Sequence, residues 1–156
     1  MKPARPLPEA ANANESSQVR RSRLADAIRE AAAKIGHDFD ALDRGRHFIL
    51  GDDGDPQPCD MAEWAAAFEN REAWAIGQTQ TATGLVSTVF LGLNHNFGGG
   101  PPVLFETAIF PKVGNIEVLA RYHTRADALA GHAAYVAWRE GQAPNPDADD
   151  EPPHPP

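Results

Sequence analysis

Cysteine is almost absent from this sequence, and its apolar runs are short. Cys59 is the single cysteine among 156 residues, so no disulfide can form within the chain, and a reducing compartment is favoured. No apolar run approaches the roughly 18–20 residues that span a bilayer. The N-terminal stretch MKPARPLPEAANANESS contains no apolar segment of signal-peptide length. We therefore expect a cytoplasmic protein that makes no contact with a membrane.

Positive charge is scarce as well. The chain has 14 Lys and Arg residues against 22 Asp and Glu residues, which gives a net charge of -8. It contains no basic stripe with interleaved aromatic residues, so nucleic acid is not a predicted partner. Residues from 140 onward include five acids and no Lys or Arg, whereas residues 17–139 carry a net charge of -3. The acidity therefore belongs mostly to the C-terminal segment, as is typical of a solvated tail.

Proline is rare in the middle of the chain and common at its ends. Nine of the 14 prolines lie within the first eight residues or from position 144 onward. Segments so rich in proline and polar residues bury too little apolar surface to offset the entropy of ordering. The sequence thus predicts a disordered N-terminal tail over 1–16, a single domain over 17–141, and a disordered, acidic, Pro-rich tail over 142–156.

The periodicity of apolar residues predicts the elements of this domain. Steps of three and four residues indicate a helix over 17–36 and a short helix over 61–70, with a small hairpin between them. From residue 71 the period becomes two, and a last helix follows Thr124. The predicted strands are 72–81, 85–93, 103–110 and 116–123.

The connections between these four strands are short, which favours an antiparallel meander. We therefore predict an α+β fold: a four-stranded antiparallel meander packed by helices, with an N-terminal helix and a small hairpin. Apolar residues predicted to be buried on the sheet are Val89, Leu91, Phe105 and Ile109. A register that keeps apolar groups on one face of the last hairpin can also be derived, although a shift by two residues keeps the faces and changes the partners. The pairs in this register are Leu104 with His123, Phe105 with Tyr122, Glu106 with Arg121, Thr107 with Ala120, and Ile109 with Val118.

The loop between the second and third strands of the meander is the most unusual stretch of the sequence. It begins with Asn94, His95, Asn96 and Phe97, followed by three glycines and two prolines. Glycines permit positive φ and close backbone approach, and prolines stiffen the exit. A polar, histidine-bearing loop on a rigid hairpin is a common way to present functional groups. In the alternative interpretation, Asn and Gly serve the turn and His95 caps it.

Glu106, Arg121 and His123 are candidate supporting residues for this loop. Glu106 is either the cross-strand partner of Arg121 or a general base beside His95, and the register favours the ion pair. His123 ends the last strand, next to the start of the last helix. His132 lies on the inward face of that helix, where we expect a core histidine that is hydrogen-bonded to backbone.

Neither a metal site nor a cofactor is predicted. The histidines show none of the spacings H-x-x-x-H, H-E-x-x-H or C-x-x-C, so that convergence of His95, His123 and Glu106 would depend wholly on the fold. Cys59 is not expected to be a nucleophile, because the neighbouring Asp60 would raise the pKa of its thiol.

Several stretches of the sequence resemble a family of small, hypothetical bacteriophage proteins. They are VSTVFLGLNHNF, GPPVLFET.IF and RYHT…A..GH, together with the upstream segment FILGDDGDPQPCDMAEWAAAFEN. The resemblance spans about residues 45–135. Members of that family more often have Asp at the position of Asn94, so this chain lacks a carboxylate there. The resemblance implies a phage gene product that works in the cytoplasm of a host bacterium, and it implies no particular activity.

Two functions of different classes fit the sequence. The first is a non-enzymatic accessory protein that binds a host or phage protein, as the small size, the acidic tail and the lack of a catalytic signature suggest. The alternative is a small enzyme or a ligand- or metal-binding domain that uses loop 94–97 with Glu106. The sequence leaves the oligomeric state open.

Overall fold

The computed structural model describes residues 16–36 and 45–147. The predicted tail 1–16 lies outside these residues except for Ser16, and so does the part of the C-terminal tail after position 147. In chain order, the elements are α1 (Ser17–Lys34), β1 (His47–Leu50), β2 (Pro56–Cys59), α2 (Met61–Phe68), a 3-10 turn (Arg71–Trp74), β3 (Ala75–Gln80), β4 (Gly84–Phe90), β5 (Phe105–Pro111), β6 (Glu117–Tyr122) and α3 (Arg125–Arg139).

These elements form an α+β fold, as the sequence predicts. Strands β3, β4, β5 and β6 make one antiparallel sheet in that order, and β1 pairs with β2 in a separate two-stranded hairpin. Helix α3 contacts all four strands of the larger sheet, while α1 packs on α2 and α2 contacts β1. In the described part of the chain, no helix is long and apolar enough to cross a membrane.

The helices begin where side chains cap their free N–H groups. The Ser16 hydroxyl accepts from the backbone N–H of Val19, and Thr124 caps α3 in the same way. Asp60 and Glu63 form a reciprocal capping box at the start of α2, which confirms the capping role of Asp60 suggested by its spacing from Glu63. Each cap satisfies backbone donors that have no partner inside the helix.

The register of the β5–β6 hairpin is confirmed at three of the five predicted pairs and is wrong at Ile109, while the pair of Leu104 with His123 lies outside the paired strands. The pairs of Phe105, Glu106 and Thr107 are as predicted. A bulge after Thr107 then shifts the register, so that Ala108 pairs with Val118 and Ile109 lies opposite Glu117. The extra residue of a bulge breaks the two-residue alternation from which the register was derived.

The main core lies between the sheet and α3. Phe105 is 0% exposed and Ile109 is 1% exposed, as predicted. Val89 and Leu91 are only half-buried, so their predicted burial is wrong. Strand β4 is apolar on both faces, and alternation alone therefore could not identify the face that α3 covers. The β4 side chains that are buried toward α3 are Val86, Thr88 and Phe90.

Two glycines allow α3 to approach the sheet closely. A Cβ atom at Gly131 would lie 2.1 Å from the Tyr122 hydroxyl oxygen, and one at Gly77 would lie 3.0 Å from the His132 ring. Real Cβ atoms essentially never come as close as the one at Gly131 would, and the one at Gly77 would be tighter than most. A larger side chain at Gly131 would therefore force α3 or Tyr122 to move.

Candidate functional site

Loop 94–102 continues the β4–β5 hairpin beyond its last strand pair. The backbone N–H of Leu91 donates to the Leu104 carbonyl at 2.8 Å, and that of His95 donates to the Val103 carbonyl at 3.0 Å. On the other side, the N–H of Asn94 donates to the Arg46 carbonyl at 2.9 Å. The loop is therefore anchored both to the large sheet and to the residue that precedes β1.

The two asparagines of the loop hold its backbone. The side-chain oxygen of Asn94 accepts from the N–H of Asn96 at 2.8 Å and from that of Val103 at 3.1 Å. The side-chain nitrogen of Asn96 donates to the carbonyls of Gly99 and Pro101, both at 2.9 Å. These bonds brace the loop across its width, which is the structural role that asparagines commonly have in turns.

The glycines of the loop make its tight path possible. Gly99 has a φ of +83° and Gly100 a φ of +100°, in the region that side-chain-bearing residues rarely adopt. The carbonyl of Gly99 is one of the acceptors for Asn96, so the turn and its side-chain brace form one unit.

His95 and Phe97 are the loop side chains that are left for contact with another molecule. Their ring centroids lie 6.5 Å apart, and the Phe97 side chain is 82% exposed. Among the described residues, the ring nitrogens of His95 make no hydrogen bond, so His95 does not cap the turn through its side chain there. An exposed phenylalanine next to a histidine on a braced loop can contact another protein. Among the described residues, no acid or base is hydrogen-bonded to the His95 ring.

The supporting residues predicted from the sequence take two different roles. The Nε atom of Arg121 donates to the Glu106 carboxylate at 2.8 Å, so Glu106 is a cross-strand ion-pair partner and makes no hydrogen bond to His95 within the described chain. The His123 Nδ1 atom lies 2.9 Å from the Pro102 carbonyl oxygen, to which it donates as Nδ1–H. His123 therefore holds the exit of the loop.

The histidines that the structure describes do not converge on a metal site. In residues 16–36 and 45–147, no group of three or more His, Cys, Asp or Glu side chains could hold a metal ion. Burial, together with the neighbouring Glu63 and Asp60 carboxylates, raises the pKa of the Cys59 thiol to about 12. A thiol with such a pKa is not a nucleophile at neutral pH.

A polar network beneath α3 was not predicted from the sequence. The His132 ring bonds through Nε2 to the Thr79 hydroxyl and through Nδ1 to the Thr88 hydroxyl, both at 2.9 Å, and Thr88 in turn bonds to Thr107 at 2.6 Å. The expectation that His132 bonds to backbone is wrong, because inward-facing threonines on three adjacent strands supply the partners. Burial lowers the pKa of His132, which favours the neutral ring.

The chain has no recognisable relative in three comparisons. Neither the protein-family models, nor the curated proteins, nor the solved structures include a match to it. The resemblance to small bacteriophage proteins stays a prediction from the quoted stretches.

Proposed function

We propose that this protein acts by binding another protein, without catalysis, and that loop 94–102 is its contact surface. The observation that carries the proposal is the exposure of Phe97, 82%, on a loop that two asparagine side chains brace. Aromatic residues are enriched among the few side chains that supply most of the energy of protein interfaces.

Rigidity of the loop favours binding as much as exposure does. Association costs conformational entropy whenever a loop must be ordered, and a loop already held in its bound shape avoids that cost. Hydrogen bonds hold loop 94–102 in one shape in the free protein. They are made by Asn94, by Asn96, and by His123 at the end of the loop. His95 adds a polar, half-buried group beside the aromatic anchor.

The resemblance to bacteriophage proteins supports a host or phage protein as the partner, met in the cytoplasm of the infected bacterium. An enzyme or a ligand- or metal-binding domain that uses loop 94–97 with Glu106 has less support. The carboxylate of Glu106 is already paired with Arg121, and Asn94 offers an amide where a carboxylate would be needed.

Site-specific photo-crosslinking tests the proposal. A photoreactive phenylalanine analogue is placed at Phe97 of the full chain, and at Phe110 as a matched control, because Phe110 is an exposed phenylalanine of β5 outside the loop. Bacterial lysate is added, the sample is irradiated, and crosslinked proteins are identified by mass spectrometry. We expect a specific protein to crosslink at position 97 and not at position 110.

Affinity measurements with the purified partner then complete the test. Phe97→Ala should weaken binding by about tenfold or more, as truncation of an interface anchor does. Phe110→Ala should leave the affinity unchanged. Equal binding of both variants, or crosslinking at position 110 alone, would show that the loop is not the contact surface.

A further inference from the structure

A second surface, the arginine cleft, opens where the N-terminal elements meet the sheet. It has a volume of about 690 Å³ and lies between the start of α1, the turn after β1, the end of α2 and the first residue of α3. Pockets of this size are typical of small-molecule sites. The cleft lies at the far end of β1 from loop 94–102, because Leu50 lines it whereas Arg46 contacts the loop. The arginines that line it are Arg20, Arg21 and Arg125.

Arg125 carries a charge that the described chain does not neutralise. Its Nε atom is buried and has no hydrogen-bond partner among the described residues, and the side chain forms no ion pair there. The guanidinium packs against the hairpin turn, where a Cβ atom at Gly54 would lie 3.3 Å from Nε. Buried donors in proteins are normally satisfied, and a guanidinium stays charged at any physiological pH. The side chain is thus positioned with its charge available to a ligand.

Arg21 enters the cleft from α1. Its Nη1 atom donates to the Leu50 carbonyl at 3.4 Å, which positions the guanidinium at the end of β1. Arg21 forms no ion pair with a described carboxylate. Two arginines from elements far apart in sequence therefore line one cleft, and neither forms an ion pair with a described carboxylate. The planar guanidinium fork matches carboxylate and phosphate oxygens.

The rest of the lining fixes the size and character of the ligand. Asp52 and Glu69 also line the cleft, beside Arg21 and Arg125. Two guanidinium groups next to two carboxylates suit a single anionic group and not a polyanion. The apolar part of the lining includes Leu24, Leu50 and Ile76. A ligand that uses both parts combines an anionic head with an apolar body.

We propose that the arginine cleft binds a small organic anion, whose carboxylate or phosphate oxygens pair with Arg21 and Arg125 and whose apolar body packs against Leu50 and Ile76. This site is independent of the protein contact at loop 94–102, since the two share no residue. Carboxylates and phosphate esters offer the same oxygen chemistry to a guanidinium, and the experiment separates the two.

Titrations of the full chain followed by ¹H–¹⁵N spectra test this site. The probes are phenylacetate, phenyl phosphate, inorganic phosphate and benzylamine, the last of which has a similar body and the opposite charge. We expect saturable shifts of the Gly51 and Gly54 amides, which line the cleft, with phenylacetate, phenyl phosphate or both. Whichever binds identifies the anionic head. Inorganic phosphate should bind about tenfold or more weakly because it lacks the apolar body.

Variants decide whether the arginines are responsible. Arg125→Gln and Arg21→Gln should each weaken binding of the preferred probe by about tenfold, as loss of a charge-assisted pair does. Arg139→Gln, at the opposite end of α3, should have no effect; Arg139 there bonds to Thr83 outside the cleft. Should Arg125→Gln fail to fold, Arg21→Gln gives the same test from α1.

Three results would overturn the proposal. They are the absence of saturable shifts with both aromatic anions, equal binding of benzylamine, and unchanged affinity in a folded Arg125→Gln or Arg21→Gln variant. The result of these titrations does not depend on the crosslinking at Phe97, because the measured amide shifts come from residues that line the cleft, such as Gly51 and Gly54.

Discussion

The two layers of the domain are held together by different kinds of contact. Between the sheet and α3, large side chains such as Phe90, Phe105 and Ile109 are at most 2% exposed. Between α1 and α2 the buried residues are alanines: Ala25, Ala62 and Ala66. Burial of a large side chain stabilises a fold by several times as much as that of an alanine. Most of the free energy of folding is therefore expected from the sheet layer.

Between α1 and α2, where the buried side chains are small, ion pairs also connect the two helices. The Arg29 guanidinium of α1 bonds to Asp60 at the start of α2, and Glu63 lies 3.7 Å from it. Burial opposes ionisation of Asp60, but the N–H of Glu63 and the Arg29 guanidinium prevail and lower the pKa of its carboxyl. The arginine cleft lies at the junction of this weaker layer with the sheet, so a ligand there would also tie the two layers together.

The largest expected effect is that of truncating the centre of the sheet layer. Phe105→Ala should reduce the free energy of unfolding by about 3–5 kcal/mol, as core aromatic truncations do. Phe110→Ala in the same strand, where the side chain is 41% exposed, should cost less than about 1 kcal/mol. Urea denaturation of both variants measures this. A cost below about 1 kcal/mol at position 105 would mean that the energy of the fold lies elsewhere.

The contact between α1 and α2 should cost less to disrupt. Asp60→Ala removes both the helix cap and the bond to Arg29, and we expect a loss of about 1–2 kcal/mol. Asp60→Asn keeps a capping side chain while it removes the charge, so its cost should be smaller. Chemical denaturation of both variants separates the two contributions. If Asn costs as much as Ala, the cap contributes nothing to the contact between the helices.

The C-terminal segment is expected to contribute about as much as one hydrogen bond. The Tyr135 hydroxyl, on a side chain that is 2% exposed, donates to the Asp147 carboxylate at 2.8 Å. A chain that ends after residue 147 should melt like the full chain, whereas one that ends after residue 141 should lose about 1 kcal/mol, or a few degrees. Asp147→Ala in the full chain should reproduce that loss. If the full chain, the chain that ends after residue 141 and the Asp147→Ala variant melt at the same temperature, this contact adds no stability.

A smaller effect should appear as a dependence of stability on pH. Because burial lowers the pKa of His132 in the folded state, the unfolded state binds more protons as the pH falls below the ordinary histidine value of 6.5. The contribution of His132 to the free energy of unfolding should therefore be complete above pH 6.5 and decline as the pH falls toward the folded pKa. A difference of one whole proton gives a slope of about 1.4 kcal/mol per pH unit, and His132 should give a fraction of it. His132→Gln should reduce this slope in denaturation curves recorded between pH 5 and pH 8. An unchanged slope would assign the pH dependence to other groups.

The fold was more predictable from the sequence than the candidate sites were. Alternating apolar residues and short turns locate β3 to β6 because both signals are local. The bulge after Thr107 escaped prediction, since no glycine or proline marks it. The arginine cleft could not be foreseen either: Arg21, Leu50 and Arg125 come together only through tertiary contacts. The threonines around His132 had a weak signal, an inward-facing hydroxyl on each of three adjacent strands.

The smallest effect on stability is expected for the His95 side chain, and it decides between the two interpretations of loop 94–102. The His95 ring makes no hydrogen bond in the described chain, so His95→Ala should change the free energy of unfolding by less than about 0.5 kcal/mol. Asn94→Ala is the matched control, because it leaves the N–H groups of Asn96 and Val103 without their acceptor and should cost about 1–3 kcal/mol. Thermal melts of both variants, with partner binding measured on the same samples, test this. A loss of 1 kcal/mol or more for His95→Ala with binding intact would make His95 a structural cap, whereas loss of binding at unchanged stability is what a contact residue beside Phe97 requires.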